Sequence, residues 1–140
     1  NITFKFTEKN FANPNQMQAL TLAYIGDSIY DIMSREYVMK NHLGKINDLH
    51  KTVSTIVSAR AQASFMENIL SNGILTEQEE KIYNRAKNQK NNSKAKNASI
   101  MEYKLATGLE AVFGYLYLEK NFKRLEEMFN YIIRLYEEKQ

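Results

Sequence analysis

Cysteine is absent from the 140 residues, so the chain has no disulfide framework, no thiolate zinc site and no cysteine nucleophile. That composition suits a reducing compartment, and a cytoplasmic protein is expected. No apolar run approaches the roughly 20 residues needed to span a bilayer, so no membrane partner is expected. One proline and five glycines interrupt a sequence rich in leucine, isoleucine, lysine and glutamate, which favours an all-α helical bundle.

The length predicts a single domain over residues 1–140, with a short N-terminal arm over about 1–14. Apolar periodicity and capping signals place helices at about 16–40, 47–71 (with or without a break), 76–88, 99–118 and 122–138. Apolar residues surround the first helix on most faces, which predicts that it is central and buried. The stretch 88–97 lacks an apolar period and is expected to form an exposed loop.

Two carboxylates, Asp27 and Glu110, lie within apolar helical stretches at distant points of the chain. A buried acid costs several kcal/mol unless it is paired or holds a metal. Each lies near a glycine, Gly26 or Gly108, and a helical glycine costs about 1 kcal/mol unless a close helix crossing requires it. The acids are therefore predicted to meet and to bind Mg²⁺, which takes one or two carboxylates. The alternative is an acid paired with a cation or facing solvent.

Asp31 and Thr107 lie one helical turn from these acids and point roughly the same way. Either could be an outer-shell group that holds a metal-bound water. The alternatives are a solvated surface role for Asp31 and, for Thr107, a hydroxyl bonded to a preceding helix carbonyl.

The segment from Lys81 to Lys96 carries basic residues and no acid, although the formal net charge of the whole chain is only +3. Cations interleaved with asparagines suit the phosphate and sugar oxygens of a nucleic acid. The candidate nucleic-acid-binding residues are Arg85, Lys87, Asn88, Lys90, Lys94 and Lys96. A solvated loop is the alternative, but a phosphate-binding loop beside a metal site is typical of a nuclease.

Residues 22–29, L-A-Y-I-G-D-S-I, resemble the signature helix of the ribonuclease III family, written L-E-F-L-G-D-A. Residues 107–114, T-G-L-E-A-V-F-G, resemble its second motif, D-x-x-E-A-x-x-G. Further matches at 47–51, 85–88 and 114–120 make the chain most similar, over about 18–120, to the short bacterial branch called Mini-ribonuclease III. That branch has the endonuclease domain and no double-stranded-RNA-binding domain. Ala23 and Thr107 replace two of the four acids found in the larger enzymes.

The resemblance implies a Mg²⁺-dependent endoribonuclease that cleaves double-stranded RNA and matures the ends of 23S precursor ribosomal RNA. Asp27 and Glu110 would be its catalytic residues: Glu110 would ligate Mg²⁺ directly, and Asp27 would bind the ion or orient a water bound to it. It also implies a two-fold homodimer with Tyr24 at the interface, core packing of Tyr24 being the alternative. No DNA partner is expected, and whether a ribosomal protein assists is open. One rival is a catalytically inactive RNA-binding or ribosome-associated module on the same fold, and another is a helical adaptor for protein partners.

Overall fold

A computed structural model of the chain describes residues 13–41, 44–89 and 98–139. A short 3₁₀ turn over Pro14–Gln16 is followed by α1 (Ala19–Asn41), α2 (Ile46–Val57), α3 (Ala59–Ser71), α4 (Glu77–Lys87), α5 (Ile100–Leu118) and α6 (Phe122–Glu138). No strand occurs within the described residues, which confirms the all-α prediction. In those same ranges no helix combines the length and the apolar character that crossing a membrane would require.

The centre of the bundle is α5, not α1 as the sequence predicted. Helix α5 packs against α1, α3, α4 and α6, and nearly every residue from Leu105 to Leu116 is buried. Helix α1 buries one face on α5 but leaves Tyr24, Ile32 and Met39 exposed. The prediction was wrong because apolar residues on several faces of a helix do not reveal which faces have a neighbour.

Local capping signals fix the start of both helices that flank the stretch 88–97. Thr76 and Glu79 form a reciprocal capping box at the start of α4, as predicted. Ser99 and Glu102 do the same for α5. Each box satisfies two backbone N–H groups that a helix start would otherwise leave without acceptors. The residues between Gln89 and Ala98 lie outside the described ranges, so the predicted loop there stays a prediction.

Helices α2 and α3 are separated by Ser58, whose backbone is extended (φ −61°, ψ 152°). Its hydroxyl accepts a hydrogen bond from the Ala61 N–H at 3.2 Å and so caps α3. Helix α3 ends as predicted at Ser71, with Asn72 as its C-cap, and Gly73 follows in the left-handed conformation (φ 60°). The break at Ser58 leaves the last carbonyl of α2, that of Val57, free to accept a side-chain hydrogen bond.

Candidate active site

Helices α1 and α5 touch through their backbones, and two glycines make this contact sterically allowed. A Cβ on Gly26 would lie 1.7 Å from the backbone oxygen of Glu110, and a Cβ on Gly114 would lie 1.9 Å from that of Leu22. Any larger residue at either position would force the helices apart. Because Asp27 follows Gly26, the crossing brings its side chain to Glu110.

The predicted role of Gly108 in this crossing is wrong. A Cβ on Gly108 would lie 2.4 Å from ring carbons of Tyr83, so this glycine admits an aromatic ring of α4. The second glycine of the α1–α5 crossing is Gly114, one and a half turns further along α5. Gly108 still contributes to the site, because the packing of Tyr83 holds α4 beside the turn of α5 that carries Glu110.

The two predicted acids meet. The carboxyl of Glu110 is within hydrogen-bonding reach of Asp27, and Asp27 is exposed while Glu110 is only partly accessible. Burial, followed by the hydrogen bond to Asp27 and its negative charge, raises the pKa of Glu110 from 4.5 to about 9, and a hydrogen bond from Gln62 partly offsets this. The charge of Glu110 also contributes, after burial, to a raised pKa of Tyr30. At neutral pH the pair therefore holds a proton.

The chemistry of this pair fits a hard divalent cation. Two carboxylates that cannot both ionise cheaply are stabilised when a cation replaces the proton. Among the described residues there is no group of three or more histidine, cysteine or acidic side chains placed to hold a metal. The pair thus offers two protein ligands, the number that Mg²⁺ commonly takes before water and phosphate complete its shell.

Two residues around the pair were missed by the sequence analysis. Gln62 of α3 donates from Nε2 to Glu110 Oε2 at 3.3 Å, and Tyr30 donates its buried hydroxyl to the Ile56 carbonyl at 2.8 Å. Gln62 lies on the apolar stripe of α3, in register with buried Met66 and Ile69. An amide at a core position of an amphipathic helix is the signal that could have identified it.

Asp31 and Thr107 are engaged elsewhere. Asp31 forms an ion pair with Arg35 at 2.9 Å, on the surface of α1. The Thr107 hydroxyl donates to the Tyr103 carbonyl at 2.8 Å, the back-bonded arrangement named above as its alternative. An outer-shell role for either residue stays a prediction, since neither of these contacts involves Asp27 or Glu110.

The candidate RNA-binding residues fall into three groups. Arg85 faces inward and donates to the backbone carbonyls of Asn15, at 2.7 Å, and Met17. Lys87 lies 5.9 Å from the Tyr83 ring centroid, and Asn88 is the exposed C-cap of α4. Lys90, Lys94 and Lys96 lie outside the described residues. Arg85 therefore anchors the chain before α1, a structural role that its place in a basic run did not reveal.

Tyr24 is 81% exposed on α1, three residues before Asp27. The alternative of core packing within one chain is therefore excluded for this residue. Such an exposed ring next to the acids is available to another molecule, although exposure does not identify that molecule.

The chain matches known proteins over most of its length. The family model of the ribonuclease III domain matches residues 20–121. The chain is 44% identical to Mini-ribonuclease 3 of Enterococcus faecalis, over 85% of this chain and 90% of that protein. It is 45% identical to Mini-ribonuclease 3 of Clostridium tetani, over 96% of this chain and 86% of that protein.

A solved structure shows the same fold. The crystal structure of a protein from Fusobacterium nucleatum superposes with a TM-score of 0.75 at 33% sequence identity, covering 85% of this chain and 93% of that one. Together with the family match, this confirms the ribonuclease III fold that the motifs around Asp27 and Glu110 predicted. The chain belongs to the ribonuclease III family, within its Mini-ribonuclease 3 branch.

Proposed function

We propose that this chain is a Mg²⁺-dependent endoribonuclease that cleaves double-stranded RNA as a homodimer and matures the ends of 23S precursor ribosomal RNA. The coarser assignment, an endonuclease of the ribonuclease III type, follows from the family. The observation that carries the proposal is the meeting of Asp27 and Glu110 at a glycine crossing, where Asp27 is exposed and Glu110 is partly accessible.

Asp27 and Glu110 would hold the cation. When bound, Mg²⁺ supplies a water of lowered pKa as nucleophile and a positive charge beside the departing 3′ oxygen. Glu110 would have to release a proton to hold the cation, because its pKa of about 9 keeps it protonated at neutral pH. Exposed Asp27 faces the side from which a phosphodiester can approach. Because Ala23 and Thr107 stand where the larger enzymes carry acids, Asp27 and Glu110 are the proposed protein ligands.

The proposed RNA contacts all lie on the catalytic domain itself. Duplex RNA is recognised mainly through shape, phosphates and 2′-hydroxyls. Tyr83 packs on Gly108 and so holds α4, with Lys87 and Asn88 at its end, beside the acid-bearing turn of α5. The proposed contacts are Lys87, Asn88, Lys90, Lys94 and Lys96, with Arg85 reassigned to anchoring the chain before α1.

A homodimer explains the exposure of Tyr24 beside the acids. A phenol ring that is 81% exposed buries little apolar surface within one chain. If Tyr24 inserts into a partner copy, two acid pairs face one RNA duplex and each pair cuts one strand.

The proposed substrate, a precursor of ribosomal RNA, is made inside the cell, so the cytoplasm is the proposed location. A ribosomal protein that presents the stem is a further proposed partner.

The test is cleavage of long duplex RNA by the purified protein, with Mg²⁺ or with chelator. The proposal predicts cleavage only with Mg²⁺, no cleavage of single-stranded RNA or duplex DNA, and loss of cleavage in Asp27→Asn and Glu110→Gln. Glu36→Gln is the matched control, because it removes an exposed carboxylate from the same helix, nine positions beyond Asp27.

The substrate is tested with a transcript that contains the stem formed by the two ends of 23S precursor RNA. Cuts in that stem on both strands would support the maturation role. Binding of duplex RNA without cutting would instead support the inactive module, and equal cleavage by wild type and Asp27→Asn would refute the assignment of the site.

A further inference from the structure

Gln62 is a buried polar residue whose position in the core needs an explanation. It is 3% exposed, on the face of α3 that carries Phe65, Met66 and Ile69. Burying an amide without full hydrogen bonding costs about 1–3 kcal/mol, a penalty that leucine or methionine would not incur at a packed position. Packing alone therefore does not favour glutamine here.

The orientation of the Gln62 amide is fixed by the break between α2 and α3. Its Nε2 donates to the Val57 carbonyl at 2.9 Å. A carbonyl only accepts hydrogen bonds, so the amide nitrogen, and not its oxygen, must face Val57. The second hydrogen on Nε2 is then directed at Glu110 Oε2, 3.3 Å away. The last carbonyl of α2 thus aims a hydrogen-bond donor at a proposed metal ligand.

The oxygen of the Gln62 amide does not offset the free-energy penalty of burying the side chain. Gln62 Oε1 is buried and has no hydrogen-bond partner among the residues that the structure describes. An orphaned acceptor is rare in a protein core. The side chain is therefore retained for what its nitrogen does, since its oxygen gains nothing from burial.

We infer that Gln62 is a positioning residue: it holds one oxygen of the Glu110 carboxylate and thereby fixes the carboxylate for cation binding. The inference deepens the proposed function and rests on it. Restraining Oε2 would limit the rotation of the Glu110 carboxylate and would leave its other oxygen able to hold a cation. Outer-shell hydrogen bonds of this kind typically change metal affinity or activity by about 10–100-fold.

The test replaces the amide by an apolar group of similar length, Gln62→Met. Mn²⁺ binding is measured by the loss of the free-ion signal in electron paramagnetic resonance, and kcat and KM are measured on duplex RNA. We expect Mn²⁺ affinity and kcat to fall about 10-fold or more, with KM for RNA unchanged. The urea unfolding midpoint in chelator, which checks that the variant folds, should fall only slightly, because the hydrogen bond to the Val57 carbonyl is lost.

The control is Ile69→Val, which loosens the same face of α3 about two helical turns beyond Gln62. Its Mn²⁺ affinity should equal that of wild type. Gln62→Leu is the second variant should Gln62→Met fail to fold, with the same expectation. Wild-type Mn²⁺ affinity and kcat in a folded Gln62 variant, or an equal loss in Ile69→Val, would overturn the inference.

Failure of the proposed function has a different signature. If the wild-type protein neither binds Mn²⁺ nor cleaves duplex RNA, the proposed function and the inference are both overturned. If the wild-type protein does both and the Gln62 variants match it, only the positioning role is refuted.

Discussion

Replacing Glu110 by glutamine should remove most of the pH dependence of folding in the metal-free protein. The folded-state pKa of about 9 exceeds the ordinary value of 4.5, so between these values the folded chain holds a proton that the unfolded chain releases. Stability therefore falls as pH rises through this window. One pKa unit corresponds to about 1.36 kcal/mol, so raising the pH from 5 to 8 should lower the free energy of unfolding by up to about 4 kcal/mol. Glutamine keeps the shape of the protonated acid and its donor toward Asp27.

The assay is urea unfolding in chelator from pH 5 to pH 8. Wild type and Glu110→Gln should have similar unfolding free energies at pH 5, and the variant should be more stable at pH 8. Added Mg²⁺ should restore stability at pH 8 in wild type alone, because the variant lacks the charged ligand. Glu36→Gln, which removes an exposed carboxylate elsewhere on α1, should keep the wild-type slope. An equal pH slope in wild type and Glu110→Gln would refute the proton-holding pair.

Three pairs of substitutions, each a test variant with its control, probe the elements around the site. Gly26→Ala should destabilise the fold by about 3 kcal/mol or more, because its Cβ would collide with the backbone of α5. Its control is Gly44→Ala, whose Cβ would meet only Asp48, at 3.4 Å or beyond. This control should change the free energy of unfolding in urea by less than about 0.5 kcal/mol. Arg85→Lys should lower the free energy of unfolding by about 2 kcal/mol in the same assay, because the two hydrogen bonds to backbone carbonyls are lost. Lys87→Gln should lower it by less than about 1 kcal/mol. The same Lys87 variant should bind duplex RNA more weakly and with a smaller salt dependence. Tyr24→Ala should shift sedimentation toward monomer and Tyr24→Phe should not; unchanged sedimentation of Tyr24→Ala would contradict its place in the interface.

The helix bounds were largely predictable because their signals are local. The capping boxes at Thr76 and Ser99 involve residues three positions apart, so the sequence displays both partners together. The order of the layers was not predictable in the same way. Tyr24 and Ile32 are apolar but exposed, and only the packed bundle shows that α5 occupies the centre.

The sequence analysis identified the two acids of the candidate site but not Gln62, the residue that supports one of them. Asp27 and Glu110 stand out because a carboxylate in an apolar helix requires a reason. A helical glycine signals close approach without naming the neighbour, which is why Gly108 was paired with the wrong helix. Gln62 and Glu110 are 48 positions apart, so their hydrogen bond exists only in the fold.

In the basic segment from Lys81 to Lys96, the sequence suggested more nucleic-acid-binding residues than the structure supports. Composition alone treats Arg85 and Lys87 alike, yet the structure directs the guanidinium of Arg85 inward to two backbone carbonyls. The planar, multiply donating side chain of arginine suits that task, whereas lysine does not. Charge in a sequence therefore predicts a binding surface only after the inward-facing residues are removed from it.

The most direct test of the central claim is the position of a bound cation. Mn²⁺ is a hard divalent ion that takes the same oxygen ligands as Mg²⁺ and scatters anomalously. Crystals soaked in Mn²⁺ above pH 7 should show an anomalous peak at coordination distance from carboxylate oxygens of both Asp27 and Glu110. A fully occupied peak bound by other residues, or a peak bound by only one of the two acids, would contradict the account.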